Sequence, residues 1–582
     1  MKKILLAVLI ILSSIVLVNL GYAYPSGHIG LLTVSESANN TIGLGGTADL
    51  YLEVRPGSGR IFIDSFPLSK IDTQITMRFA SEVACDLLDK DCSNYDFFYT
   101  ITANSAVVGG PSAGAAASVL TVAVLDGKTL DNKTVMTGTI NSGNLIGPVS
   151  GIPAKSLAAK LAGYKTILIP EWGLENNTPS SDLSIKVIKV STLEDALYYF
   201  TQKNYTRTSD TESLTGANMT YSEGYIKIMS EIALDLCTKY GGVANNTLIL
   251  PNLTAYGIDA SNSSQDNFVL AMNALNNDSY YSAASFCFGG NVKILSKILS
   301  NQTNTQLKLE YAKLLGNISA FESDASKRSK SLSTISGLEA YMVVAERLSE
   351  AKDTLSQMNP ENISAYQLAY SIERFDTAVE WSKFYDLNGQ QFVMDEGFLN
   401  TVCKKKLSEA EERLNYLELY YPSGDIRDEL SKAYDYYDNA DYALCIFTSS
   451  KVKADSDIVL SAIFVPDNET SRLLDEKMLI AKRVILKQQQ SDIFPVLGYS
   501  YYEYANTLKD TDRYSALLYS EYALELSNLD MYFKKRQTLS FPSITFNSGT
   551  GMFLLGLGAG ILLTIMLAVI FSKMSKKNRR KR

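Results

Sequence analysis

The sequence predicts an α+β domain followed by an all-α region of helical hairpins and a C-terminal transmembrane helix. Three observations carry this. Strand and helix patterns mix up to about residue 203. Helical spacing with tyrosine and alanine then runs from 220 to 535 almost unbroken. Finally, Met552 to Phe571 are twenty residues without a charge, enough to cross a bilayer.

The elements follow in chain order. Residues 1–23 read as a signal peptide: Lys2 and Lys3, an apolar run from Ile4 to Val18, then the small-x-small end Gly21-Tyr22-Ala23. An uncleaved anchor helix is the other reading. Residues 26–203 form the first domain. Ala48 to Val54 alternate, Pro56 to Gly59 turn, and Arg60 to Asp64 return, which predicts a β-hairpin. Ile75, Phe79, Val83 and Leu87 predict a helix over 72–88. A strand over 97–101 leads to Gly109-Gly110-Pro111-Ser112 and a helix to residue 125. Strands over 135–140 and 145–149 flank Asn141-Ser142-Gly143. A helix over 154–162 closes at Gly163. Strands over 166–169 and 185–190 and a helix over 192–200 finish the unit.

Residues 204–219 are polar and read as a linker. From 220 to 540, Asp278, Arg374, Asp441 and Asp512 each open a similar stretch after a short polar break, predicting helix starts. The pattern is tetratricopeptide-like, with irregular intervals. Such a region either holds a polypeptide or acts as a spacer. Behind the span over 552–571, residues 572–582 carry seven Lys and Arg and no acid, which places this tail in the cytoplasm and the bulk of the chain outside. Gly556 and Gly560 form a GxxxG pair, either a helix-pairing face or ordinary glycine use in a membrane helix.

The net charge of −8 argues against nucleic acid as a partner. Asn-x-Ser/Thr sequons recur from Asn39 to Asn468 and fit a glycosylated, exported surface, though an Asn- and Ser-rich chain gives some by chance. Six cysteines form three sequence-neighbour pairs, Cys85/Cys92, Cys237/Cys287 and Cys403/Cys445, among the fifteen connectivities that six allow. There is one histidine, His28. A Ser-His-Asp triad or a histidine-rich zinc site has almost nothing to work with, and no metal or cofactor is expected.

Ser112 follows Gly109-Gly110-Pro111 at the mouth of an Ala-rich helix, where free N–H groups can receive an oxyanion. Lys155 lies among Ile152, Pro153, Ala154, Leu157 and Ala158. Burial lowers a lysine pKa and makes it a base, so the two suit a nucleophile and its activator. Taken singly, Ser112 is equally a helix cap and Lys155 an exposed helix residue.

In combination, Gly110-Pro-Ser-Ala-Gly114, Val135-Met-Thr-Gly-Thr-Ile140, Gly143, Pro148-Val-Ser-Gly-Ile152, Lys155 and Gly163-Tyr-Lys-Thr-Ile-Leu-Ile-Pro170 resemble the proteolytic domain of the Lon proteases. The resemblance is clear over about 107–172. It implies a Lon-type, ribosomal-protein-like α/β fold and a Ser-Lys dyad peptidase. Ser112 matches the nucleophile, Lys155 the general base, and Thr137 a threonine that supports the dyad by hydrogen bonding. Lys160 is the competing lysine, five residues off the motif. Two positions depart from the pattern: Gly109 and Thr139 stand where the family often has acids. No Gly-x-x-x-x-Gly-Lys-Ser/Thr loop occurs in the chain, so the ATPase module of ordinary Lon is missing from it.

The expectation is therefore an ATP-independent, membrane-anchored serine endopeptidase acting on exported or unfolded polypeptides. It would be a single-pass type I protein with its catalytic domain outside the cytoplasm. Rings are usual for Lon-type domains, so a homo-oligomer is a further expectation. Together these features suit an archaeal cell surface. The competing readings are a non-catalytic surface scaffold that binds through its helices, and another Ser-Lys hydrolase such as a signal-processing enzyme, whose motif order differs.

Overall fold

The computed structural model describes residues 24–36, 42–173, 184–205, 222–244, 247–258 and 267–536. The expected signal peptide, transmembrane helix and basic tail lie outside these residues, as does nearly all of the expected linker. Among the described residues no helix is long and apolar enough to cross a membrane.

The first part is built on a seven-stranded mixed sheet. Its strands are β1 (Ser26–Glu36), β2 (Ile42–Pro56), β3 (Ile61–Ser69), β4 (Tyr95–Val108), β5 (Thr134–Met136), β8 (Thr166–Pro170) and β9 (Lys186–Val190), in the order β3-β4-β2-β1-β5-β8-β9. Two short strands outside it, β6 (Thr139–Ile140) and β7 (Ile146–Gly147), pair around Asn141–Leu145. Helices α1 (Ile71–Leu87), α2 (Gly114–Leu125), α3 (Ile152–Leu161) and α4 (Leu193–Thr201) cover the sheet.

The alternation of side chains along the strands sorts the helices to opposite faces. Leu31, Met136 and Leu168 share one core with residues of α1, α2 and α4. Their neighbours Leu32, Val135, Ile167 and Ile169 share another with Ile152 and Ala159 of α3. The sheet is thus the middle of three layers.

One expected pairing is corrected. β2 and β3 exist but do not form a hairpin, because β4 inserts between them. β2 pairs antiparallel with β1 and β4, while β3 runs parallel to β4. A parallel pair needs a crossover, and α1 supplies it, making β3-α1-β4 a βαβ unit.

The second part is helical: α5 (Glu223–Thr238), α6 (Asn267–Asn276), α7 (Tyr280–Ser300), α8 (Asn304–Ser329), α9 (Ile335–Ser356), α10 (Ala365–Trp381), α11 (Glu396–Glu418), α12 (Gly424–Asp438), α13 (Tyr442–Phe464), α14 (Thr470–Gln490), α15 (Val496–Leu508) and α16 (Arg513–Ser527). Asp441 and Asp512 stand at the N-caps of α13 and α16, as expected, and α7 starts two residues after Asp278. Arg374 does not start a helix. It lies inside α10, which Ser364 caps ten residues earlier. Neighbouring helices pack as pairs, α6 on α7, α9 on α10 and α15 on α16, but α11 packs chiefly on α13, with α12 set beside both.

Both parts belong to one compact unit. Lys487 Nζ binds the Asp86 carboxylate at 2.8 Å, Lys405 pairs with Glu82, and the Trp172 indole donates to Glu476 at 2.8 Å. The cysteines pair as the sequence neighbours do, Cys85–Cys92, Cys237–Cys287 and Cys403–Cys445.

Candidate active site

Ser112 sits in a single 3-10 turn, Pro111–Ala113, at the entrance to α2. Gly110, before it, has φ +104°, a conformation that favours glycine. The Asp72 carboxylate, in the first turn of α1, accepts the Gly110 N–H at 3.0 Å and so fixes the turn from outside.

From the inside, the strand end at Thr137-Gly138 holds the Ser112 backbone. The Ser112 carbonyl accepts from Gly138 N–H at 3.0 Å and from Thr137 Oγ1 at 3.4 Å. The Gly138 carbonyl in turn accepts the Ala115 N–H at 3.1 Å. Ser112 itself is half-buried.

Lys155 reaches the same point from α3. Gly151, left-handed at φ 71°, is the N-cap, Pro153 stands in the first turn, and Ile152, Lys155, Ser156, Ala158 and Ala159 form the buried face. Lys155 is 2% exposed. Its ammonium donates to Thr137 Oγ1 at 3.1 Å. Among the described residues it has no carboxylate partner and no hydrogen bond to Ser112 Oγ. Burial pushes its pKa from 10.5 down to about 7. Lys160, one turn further along α3, is exposed.

The three residues singled out in the sequence therefore meet, with Thr137 as the joint: its one hydroxyl accepts from Lys155 and donates to the backbone of Ser112. Two groups at the site carry no sequence signal. Asp72 lies thirty-eight residues before Gly110. The second comes from the helical part: Arg413, on α11, reaches the carbonyl of Ile140 at 3.4 Å, and Lys453, on α13, donates to Ser142 Oγ at 3.2 Å. A small cavity between Pro111, Ile140, Glu412 and Arg413 marks where the helical part meets the Ser112 turn.

The two departures from the family pattern have structural counterparts. A side chain at Gly109 would strike Lys70, with its Cβ 2.4 Å from Lys70 Cδ, and the acid near this turn comes instead from Asp72. Thr139 is fully buried in β6, with its hydroxyl toward Asn141 at 3.4 Å, and the carboxyl near this strand is Glu412 of α11, which burial pushes up to about 7.

Comparison with known proteins bears on the first part of the chain. The Lon protease of Paraburkholderia phytofirmans is 29% identical over 150 residues, which make up 24% of this chain and 18% of that protein. Residues 85–199 match the family described as Lon protease (S16) C-terminal proteolytic domain. That stretch begins near the end of α1, so β1, β2 and β3 of the sheet precede it. The chain thus carries a Lon-type proteolytic domain, which contains Ser112, Thr137 and Lys155.

Proposed function

We propose that this protein is an ATP-independent, membrane-anchored serine endopeptidase that cleaves exported or unfolded polypeptides with Ser112 as nucleophile and Lys155 as general base. The observation that carries the reading is the buried, unpaired Lys155, joined to the Ser112 backbone through Thr137. Neutral Lys155 takes the Ser112 Oγ proton as Oγ attacks the substrate carbonyl. The resulting ammonium gives that proton to the leaving amine, and water then hydrolyses the acyl-serine. The Lys155–Ser112 hydrogen bond is unmade here, and such bonds commonly tighten only with substrate present.

The substrate has an edge to pair with. β3 is an outer strand, with Phe66 82% and Leu68 76% exposed, and it ends beside the Gly109 turn through its pairing of Ser69 with Val108. An extended apolar polypeptide would add to that edge and run past Ser112. The three disulfides support a place outside the reducing cytoplasm. With the uncharged run over 552–571 and the basic tail, they support the type I orientation.

The test is the pH dependence of cleavage. A base must be neutral to act, so kcat/KM for a peptide substrate should rise as pH passes through about 7 and then level off. A rate flat from pH 5 to 9 would remove Lys155 as the base. Asp72→Ala, which releases the Gly110 N–H, should lower kcat by about ten- to a hundred-fold with the acid limb unmoved, as befits a positioning residue.

A further inference from the structure

The helical part holds a half-open cavity of about 360 Å³, far from the Ser112 turn in sequence and lined by tyrosines, Trp381 and a group of charged residues. This volume suits a small molecule or the end of a peptide.

The charges are unequal. Arg374 pairs with Glu346 and Glu350, and Lys451 lies 3.8 Å from Glu346. Arg347, on α9, has no carboxylate partner and donates no hydrogen bond among the described residues, and its Nε is sealed from solvent. Its guanidinium stands over the Trp381 ring at 5.3 Å, a cation–π contact that compensates only in part for lost hydration. Arginine cannot shed its charge, and the half-buried Arg347 guanidinium has only its outer nitrogens left to meet an anion. Burial and the neighbouring Arg374 disfavour that charge, and Glu346 offsets them only in part, so the pKa stays below the ordinary arginine value.

Tyr501, Tyr504 and Tyr519 line the same cavity, and their hydroxyls have no protein partner among the described residues. A cavity with one guanidinium outside any ion pair, flat aromatic walls and unused phenols suits a monoanion with an apolar body. A dianion such as phosphate would overshoot the charge.

We propose that this cavity is a binding site for a small organic carboxylate, held by Arg347 through its carboxyl group and by the aromatic walls through an aromatic or apolar body. The inference is independent of the peptidase reading.

Trp381 is one of two tryptophans in the chain, so intrinsic fluorescence of the full-length protein in detergent reports on the site. The probes are benzoate and N-acetylphenylalanine, with N-acetylphenylalaninamide and inorganic phosphate as comparisons. At least one carboxylate should change the fluorescence saturably, and the amide and phosphate should bind about tenfold more weakly or less, the worth of a charged hydrogen bond. Arg347→Gln should weaken carboxylate binding by about tenfold or more, Arg347→Lys by less, and Tyr519→Phe by a few-fold. Circular dichroism checks the fold, and calorimetry on Trp381→Phe separates binding from its readout. Failure of both carboxylates to bind, equal binding of acid and amide, tighter binding of phosphate, or unchanged binding in folded Arg347→Gln would each overturn the proposal. Loss of peptidase activity in Ser112→Ala with carboxylate binding intact is expected, since the two sites are separate.

Discussion

Lys155→Met is expected to abolish peptide cleavage and to stabilise the protein. Both effects have one cause. In the folded chain the ammonium is buried and holds only a hydroxyl. Its pKa is about 7 when folded and 10.5 when unfolded, a gap worth about 5 kcal/mol. The sign follows from proton binding. Between pH 7 and 10.5 the unfolded chain holds the proton more tightly, so stability contributed by this group rises with pH across that window. The deficit is full below pH 7 and gone above 10.5. Methionine fills similar space without a charge, so urea denaturation at neutral pH should show a gain of about 4 kcal/mol that shrinks toward pH 10. Activity should fall by about a thousandfold or more, the worth of a general base and its aligned nucleophile. A stable, inactive variant would be a stability–function trade at one position. An inactive variant with no stability gain would mean that Lys155 has a counterion when folded.

Lys453→Met should do the opposite. Lys453 is as deeply buried as Lys155, but it is paired: its ammonium lies 3.1 Å from Glu409 and 3.0 Å from Glu525, and donates to Ser142 Oγ. Burial opposes the charge, yet Glu525 and Glu409 outweigh it and hold the pKa above the ordinary lysine value. Burial likewise opposes ionised Glu525, but Lys406 and Lys453 bring it down to about 2. Removing Lys453 leaves two buried carboxylates with Lys406 as their one ion-pair partner among the described residues, beside the Tyr532 hydroxyl on Glu409, and such a loss typically costs about 3–5 kcal/mol. Because Lys453 also joins α13 to the loop after Thr139, peptidase activity should be lost at lower temperature than in the parent. Differential scanning calorimetry with parallel activity assays reads both. A melting temperature equal to the parent's would show that this network does not hold the two parts together. Exposed pairs such as Lys352–Glu322 contribute little by comparison, since water screens them.

The contrast between these two lysines shows what the sequence could and could not tell. Lys155 was legible because the motifs around it resemble the Lon pattern; its apolar helix start alone left it equally an exposed helix residue. Lys453 was not, since its meaning lies in Ser142, 311 residues away. The same holds for Asp72, whose sequence context is an ordinary helix start. Strand existence in the first part was legible from alternation, but the β2–β3 hairpin was not the pairing adopted, because periodicity reports a face and not a neighbour. Helix starts at Asp441 and Asp512 were legible as caps. Arg374 was misread because a polar break resembles the middle of a helix whose half-buried arginine is paired with carboxylates of another helix. Cysteine pairing followed sequence order, since each pair closes within one part of the chain.

The most direct test of the central claim is the position of the acyl group during turnover. The protein is mixed with an activated peptide ester, quenched in acid within the first turnovers, digested and read by tandem mass spectrometry. The account predicts the acyl mass on Ser112, its absence in Ser112→Ala, and greatly reduced labelling in Lys155→Met. An acyl group on another residue, or peptide cleavage that persists in Ser112→Ala, would contradict it.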